Sequence, residues 1–392
     1  MNESSWISTN LGEVTAESRK RAGNDSAYLA RTVYGVDRSI GLNPVAKYTA
    51  NSLEKYKAIE RGMFAYNPMR LNIGSIGYCS QNIQPGLVSP DYVVFECNPK
   101  KLDPEFLNYY IGSTAWLEWT AKAGVGSVRL RIYYKELAQL PILLPSISEQ
   151  HAIAEVLGVL DNKIELNSRM SATLESMARA VFRQWFIESK EAIDWEEVPL
   201  PEIIEVNPSR SLKKGENAPY LDMANMPTQG HRGINWIDRS FGSGTKFING
   251  DTLLARITPC LENGKTSFVD FLKDGQVGWG STEYIVFHPK PPLPAEYGYY
   301  LARSEELRRH AIQNMTGTSG RQRTPASCFD RFMISQPPDN LARKFGEFAG
   351  SVIEKVRVND EESRTLASLR DRLLPKLMRG EVRVKDAKED VT

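Results

Sequence analysis

Two short loops carry the side chains best suited to gripping an anion or reading a base. They are Gly124-Val125-Gly126-Ser127-Val128-Arg129-Leu130-Arg131 and Gly317-Thr318-Ser319-Gly320-Arg321-Gln322-Arg323, and in each, glycine and serine stand beside two arginines separated by one residue. Glycine and small hydroxyl residues let backbone N–H groups approach a phosphate. The planar guanidinium fork binds a phosphate, or the O6/N7 edge of guanine, through two parallel hydrogen bonds. Ser127, Arg129 and Arg131 of the first loop and Ser319, Arg321 and Arg323 of the second are therefore the leading candidates for nucleic-acid contact. Arg70, Lys122 and Arg256 follow as secondary candidates, with Arg303, Arg308 and Arg309 behind them, each of which taken alone reads as an ordinary surface charge.

Motifs for catalysis fail on inspection. Pro259-Cys260-Leu261-Glu262-Asn263-Gly264-Lys265-Thr266 ends like a phosphate loop, but proline stands where the tight turn needs glycine. Phe241-Gly242-Ser243-Gly244 superficially matches a methyl-donor loop and lacks a clear strand ahead of it. Asn67-Pro68-Met69-Arg70 lacks the second proline and the aromatic of an amino-methyltransferase motif. The cysteines (Cys79, Cys97, Cys260, Cys328) form no CxxC pair, and the histidines (His151, His231, His288, His310) form no HxH or HxxxH cluster. Neither a metal site nor a disulfide framework is expected, and each histidine reads as a surface or packing residue. No catalytic residue is assigned.

The chain has 392 residues, 41% hydrophobic and 25% charged, which suits two globular domains rather than one core. Lysine plus arginine (49) balances aspartate plus glutamate (48), so no global positive field marks a nucleic-acid binder. A basic face must then be local, or partners in a larger complex must neutralise part of the phosphate charge. No long apolar run or signal-peptide core is present, and a cytoplasmic protein is expected.

The two loops belong to a duplicated unit of about 190 residues. Arg61-Gly62 aligns with Asn249-Gly250 at an offset of 188, and Tyr92-Val93-Val94-Phe95 aligns with Tyr284-Ile285-Val286-Phe287 at 192. Tyr109-Tyr110 matches Tyr299-Tyr300, the arginine loops match each other, and Gly158 to Asn167 matches Gly350 to Asn359, all in the same order. Each copy opens with mixed α/β sequence, in which 91–95 and 282–287 read as strands while 102–120 and 295–315 read as helices.

Each copy closes on a long helix with apolar residues in four-three alternation, the signature of a coiled-coil seam. Ile153, Leu157, Leu160, Ile164, Asn167, Leu174 and Val181 mark the first seam, with Ser146 and Glu149 as its capping box. Val352, Val356, Asn359, Leu366 and Leu373 mark the second, with Arg370 as a flaw. Asp339 or Asn340 is expected to cap the second helix and Pro375 to end or kink it near Leu374, making it the shorter. Asn recurs at one step of both seams, which predicts that Asn167 and Asn359 lie together in an antiparallel pair related by a pseudo-twofold axis. A helix of about 40 residues is ~60 Å long and spans at most about 17 base pairs.

Pro145-Ser146-Ile147-Ser148-Glu149-Gln150, followed by Ile153, Leu157, Leu160-Asp161-Asn162-Lys163-Ile164 and Asn167, resembles the central conserved region of specificity subunits of Type I restriction-modification systems. Leu369-Arg370-Asp371-Arg372-Leu373-Leu374-Pro375-Lys376-Leu377-Met378-Arg379-Gly380-Glu381-Val382 resembles the distal one. The resemblance implies target-recognition domains at 1–145 and 190–338, conserved helices at 146–189 and 339–383, and a polar tail at 384–392. It further implies reading of a split asymmetric double-stranded DNA site. On its terms, two modification subunits dock on the helices and bring S-adenosylmethionine to methylate adenine, and restriction subunits join them. Pro337-Pro338-Asp339-Asn340 departs from the pattern by lacking Glu-Gln. Two other readings stay open from the residues: a stand-alone methyltransferase, and a helical adaptor that does not touch DNA.

Overall fold

The computed structural model describes residues 6–38, 40–44, 49–123, 131–382 and 384. The chain forms two compact units, one made of Met1–Lys163 with Thr365–Thr392 and the other of Ile164–Arg364. In the first unit a four-stranded antiparallel sheet runs in the order Thr15–Ser18, Val93–Cys97, Met63–Tyr66, Ile76–Tyr78. A second sheet runs Gly41–Asn43, Val33–Asp37, Gly86–Val88, Lys57–Ile59, with one parallel step in its middle. Ile7–Asn10 pairs with Pro141–Leu144.

The second unit repeats this plan strand for strand. Its sheets run Ile204–Val206, Tyr284–Pro289, Thr252–Ala255, Thr266–Phe268 and Ile237–Ser240, Asn217–Leu221, Gly278–Gly280, Thr245–Phe247, and Glu197–Pro199 pairs with Met333–Ser335. The lone parallel step falls at the same place, between Asn217–Leu221 and Gly278–Gly280. Two mixed α/β units sharing so particular a strand order are a duplication. Within the central strands, Val93–Phe95 and Tyr284–Phe287 read as unbroken apolar runs because the sheet is covered on both faces there, and Val94, Phe95, Ile285 and Phe287 are fully buried.

The sequence predicts one helix over 102–120 and one over 295–315, but each is two. Pro104–Ile111 is followed by Thr114–Lys122, and Ala295–Ala302 by Glu305–Gln313. The cause is a serine at each break. Ser113 accepts from the Trp116 N–H and Ser304 from the Leu307 N–H, both at 3.3 Å, so each caps a new helix where apolar periodicity alone shows continuity.

The central helix is Ile147–Phe182, followed by one π turn at Arg183–Ile187. Ser146 caps it, accepting from the Glu149 N–H at 3.3 Å. Buried Gln150 ties its first turn to unit 1: its amide accepts from Asp103 N–H (2.9 Å) and donates to the carbonyls of Lys101 and Pro145 (both 3.0 Å).

The distal helix corrects two expectations. It runs Asp339–Met378, 40 residues against 36 for the α-helical part of the central helix, so it is not markedly the shorter, and Pro375 lies inside it. Pro375 removes a single N–H donor within the last turn, and buried Leu373, Leu377 and Met378 hold the helix in the core past that point. Asp339 stands in the first turn, with the Pro338 carbonyl accepting from Leu341 and Ala342.

In unit 1, Ile153, Leu157, Leu160 and Leu373 are buried in one cluster and Leu366 packs at its edge. Arg370, the flaw in the seam, donates to Asp161 at 2.7 Å and to Asp371 at 2.8 Å, so its charge is paired at the margin of that cluster. In unit 2, Val352 and Val356 are buried, Leu174 and Val181 pack against them, and Ile164 is half-buried. There Asn167 Nδ2 donates to Glu362 (2.8 Å), to Ser363 Oγ (3.3 Å) and to the Asn359 carbonyl (3.4 Å), and Asn359 Nδ2 donates to Ser171 Oγ (3.3 Å). Fifteen residues on, Phe182 packs on Phe345 with ring centroids 5.4 Å apart, so the two segments run antiparallel.

Candidate nucleic-acid interface

In unit 2, Thr316 and Arg323 exchange two backbone hydrogen bonds (2.9 and 2.8 Å) that close the arginine loop at its base. Its tip turns through Gly317 at φ +119° and Gly320 at φ +76°, values that L side chains adopt only with strain. Ser319 and Arg321 are exposed on that turn. The returning strand then zips onto Arg256–Thr258: Thr324 N–H donates to the Arg256 carbonyl at 2.9 Å and Thr258 N–H to the Gln322 carbonyl at 3.0 Å. Arg256, chosen in the sequence apart from Arg321 and Arg323, is thereby brought to the edge that carries them.

Unit 1 repeats the fastening, with the Ile132 N–H donating to the Pro68 carbonyl at 3.0 Å. This sets Arg131 where unit 2 has Arg323. Arg131 donates to Tyr133 Oη at 3.0 Å and lines a cleft of about 290 Å3 with Asn67, Met69, Lys57, Asp91 and Tyr133. The Lys57 ammonium, half-buried there, is pushed below its ordinary value by burial. Ser127 and Arg129 lie outside the described residues.

Arg323 departs from the expectation of a free fork. Its Nε and Nη2 both donate to Glu283 at 2.8 Å, and its Nη1 donates to the Arg321 carbonyl at 3.3 Å. Arg321 is the arginine that the loop presents outward.

A family model, the Type I restriction modification DNA specificity domain, matches residues 23–176. The chain is 32% identical over 162 residues to the EcoEI specificity subunit of Escherichia coli, covering 40% of this chain and 27% of that one. It is 24% identical over 311 residues to the MjaIX specificity subunit of Methanocaldococcus jannaschii, covering 72% and 70%. Over these spans the chain is similar to Type I specificity subunits. The HindI specificity subunit of Haemophilus influenzae, 30% identical over 135 residues, covers 34% of this chain, and the chain spans less than a third of the length of both it and the EcoEI relative. The solved Type I S subunit from M. genitalium superposes with a TM-score of 0.62 over 96% of this chain and 97% of that one, at 16% identity, which speaks to the fold.

The remaining basic candidates separate by role. Arg303 is structural: its guanidinium donates to the carbonyls of Thr228, Gly230, Gly264 and Thr266 at 2.5–3.0 Å and staples the 227–231 loop to a strand. Lys265, the lysine of the failed phosphate loop, donates to the Met223 carbonyl at 2.5 Å. Lys122 ends its helix exposed, 3.9 Å from Glu118, and Arg309 stands likewise 3.9 Å from Glu305. Arg70 is exposed at the start of a short 3-10 turn. Asn67 folds its side chain back to accept from Met69 N–H at 3.0 Å, a turn device. Phe241–Gly244 does follow a strand, Ile237–Ser240, contrary to the sequence reading. A Cβ at Gly244 would meet the Gly280 carbonyl oxygen at 2.1 Å, so the segment is packed against a neighbouring strand and leaves no space at Gly244 for a nucleoside.

His231, read from sequence as a surface or packing residue, is fully buried between two carboxylates. Nδ1 lies 3.1 Å from Glu175 of the central helix and Nε2 3.2 Å from Asp270. Both ring nitrogens can donate only in the imidazolium. Burial pushes the ring toward neutrality, but the hydrogen bonds and charges of Asp270 and Glu175 outweigh it and set the pKa at about 9. Beside it, Arg232 pairs with Asp270 (3.0 Å) and Glu361 (3.3 Å), and Tyr299 donates to Glu175 (3.3 Å). The loop 227–234 is thus bolted to both helix segments of unit 2. Among the described residues, no helix is long and apolar enough to cross a membrane.

Proposed function

We propose that this chain is the non-catalytic, sequence-reading subunit of a modification complex, with each unit reading one part of a bipartite double-stranded DNA target. The supporting observation is the repeated backbone hydrogen bond, Ile132 to Pro68 and Thr324 to Arg256, which fastens the chain next to Arg131 and Arg323 in two units of identical strand order. A duplicated surface that keeps its arginines while other residues drift suits a long polyanion met twice. On this reading two modification subunits dock on the long helices and supply S-adenosylmethionine for adenine methylation, and restriction subunits join the assembly. The close packing of Gly244 on the Gly280 carbonyl disfavours a methyl donor held at that segment, and thus the stand-alone methyltransferase.

The test is duplex binding by the chain together with its modification subunits. Arg131→Ala and Arg321→Ala should each weaken binding to the cognate site by about 1–3 kcal/mol and relax selectivity in one half of the target only. Unchanged affinity and selectivity in both variants would remove these loops from the interface.

A further inference from the structure

Near Arg323 and near Arg131 stands an acid that the duplication has also kept. Glu283 stands immediately before Tyr284 in unit 2, as Asp91 stands immediately before Tyr92 in unit 1. Both are presented by the same device: the Glu283 N–H donates to Ser281 Oγ at 3.1 Å, and the Asp91 N–H to Ser89 Oγ at 3.3 Å. In unit 2 the Glu283 carboxylate takes the Nε and Nη2 of Arg323 in fork geometry, while its own carbonyl accepts from the Arg256 N–H at 3.0 Å. In unit 1 Asp91 and Arg131 line one cleft. An ion pair this exposed, with the Arg323 side chain 44% accessible, adds little to stability. Stability alone gives no reason to place an acid at the same step of both copies, on a surface that would meet phosphate.

Resting on the nucleic-acid reading, we propose that Glu283 and Asp91 set specificity by standing in for phosphate. The carboxylate occupies the edge of the arginine that a phosphate would use, so an arbitrary duplex must displace it and gains little by doing so. A cognate site meets the exposed Arg321 and the half-buried Gln322 as well, and those contacts make the displacement favourable. The acid lowers affinity for all DNA and lowers it most where base contacts are missing.

The probe is a random-sequence duplex, titrated against the full chain over a range of salt. Glu283→Gln keeps the shape and removes the charge, freeing one arginine for phosphate. It should raise affinity several-fold and steepen the slope of log K against log salt by about 0.9, one further phosphate neutralised. Adding Arg323→Ala should abolish both gains, which a purely structural role for Glu283 does not predict. Asp91→Asn should repeat the effect through Arg131. Wild-type binding with an unchanged slope in Glu283→Gln and Asp91→Asn overturns this proposal alone. A wild-type chain with no salt-dependent duplex affinity overturns the nucleic-acid reading and this proposal with it.

Discussion

Unit 2 should lose roughly 3 kcal/mol of stability as the pH rises from about 6.5 to about 9, through deprotonation of a single buried ring. His231 has a folded pKa near 9, raised above its ordinary value of 6.5 by Asp270 and Glu175. Because the folded value is the higher, its contribution is complete below the unfolded pKa and is lost as pH climbs through the folded one. The neighbouring groups act in the same direction. The neutral ring donates through one nitrogen only, leaving Glu175 or Asp270 buried without that donor, while Arg232 retains Asp270 and Tyr299 retains Glu175. Asp360, whose carboxyl is pushed up by burial, also loses the nearby positive charge that helps to ionise it. Calorimetric melts across this range should show the decline. His231→Ala should lower stability near neutral pH by about 3–5 kcal/mol and flatten the slope, since two carboxylates then share the pocket without the cation. A variant that keeps the wild-type pH slope would show that another group titrates.

Periodicity and repetition reach the sequence directly, and that is why the duplication and the helices were legible. A 192-residue offset places Asn359 on Asn167, and four-three spacing is local information that needs no partner to be seen. Contacts formed at long range left no such mark. Glu175 is 56 residues from His231 and Asp270 is 39 away, so nothing near the histidine betrays its burial. The Glu283–Arg323 pair is separated by 40 residues and was hidden for the same reason, although the recurrence of an acid before the tyrosine, Asp91 and Glu283, was a signal available in the aligned copies. Pro375 misled because a proline's cost is local whereas the burial that offsets it at Leu377 and Met378 is not. Arg303, exposed by residue type, proved to be a staple because four carbonyls, from the 227–231 loop and from the start of a distant strand, converge on it.

Replacing Asn167 and Asn359 together by leucine should leave unit 2 more stable than replacing either one. Both side chains are 1% exposed, and the Oδ1 atom of each is buried without a hydrogen-bond partner, so the pair carries a desolvation cost that its donor bonds only partly offset. Asn167→Leu alone strips Glu362, Ser363 and the Asn359 carbonyl of a donor and still leaves Asn359 buried with an unpaired oxygen. Asn359→Leu alone takes the donor from Ser171 and leaves Asn167 in the same position. The double substitution removes both unpaired acceptors and fills the seam, while Ser171, Glu362 and Ser363 are half-buried and can turn to water. Denaturant unfolding of the two singles and the double should therefore give a coupling energy of about 1–3 kcal/mol favouring the double. Additive effects would show that the asparagines act independently. The cost of the more stable seam falls on specificity, because a polar step admits one pairing register and an apolar one admits several. The double variant should bind duplexes with less discrimination between target and random sequence even as its unfolding midpoint rises, the outcome expected if these asparagines serve alignment in preference to strength.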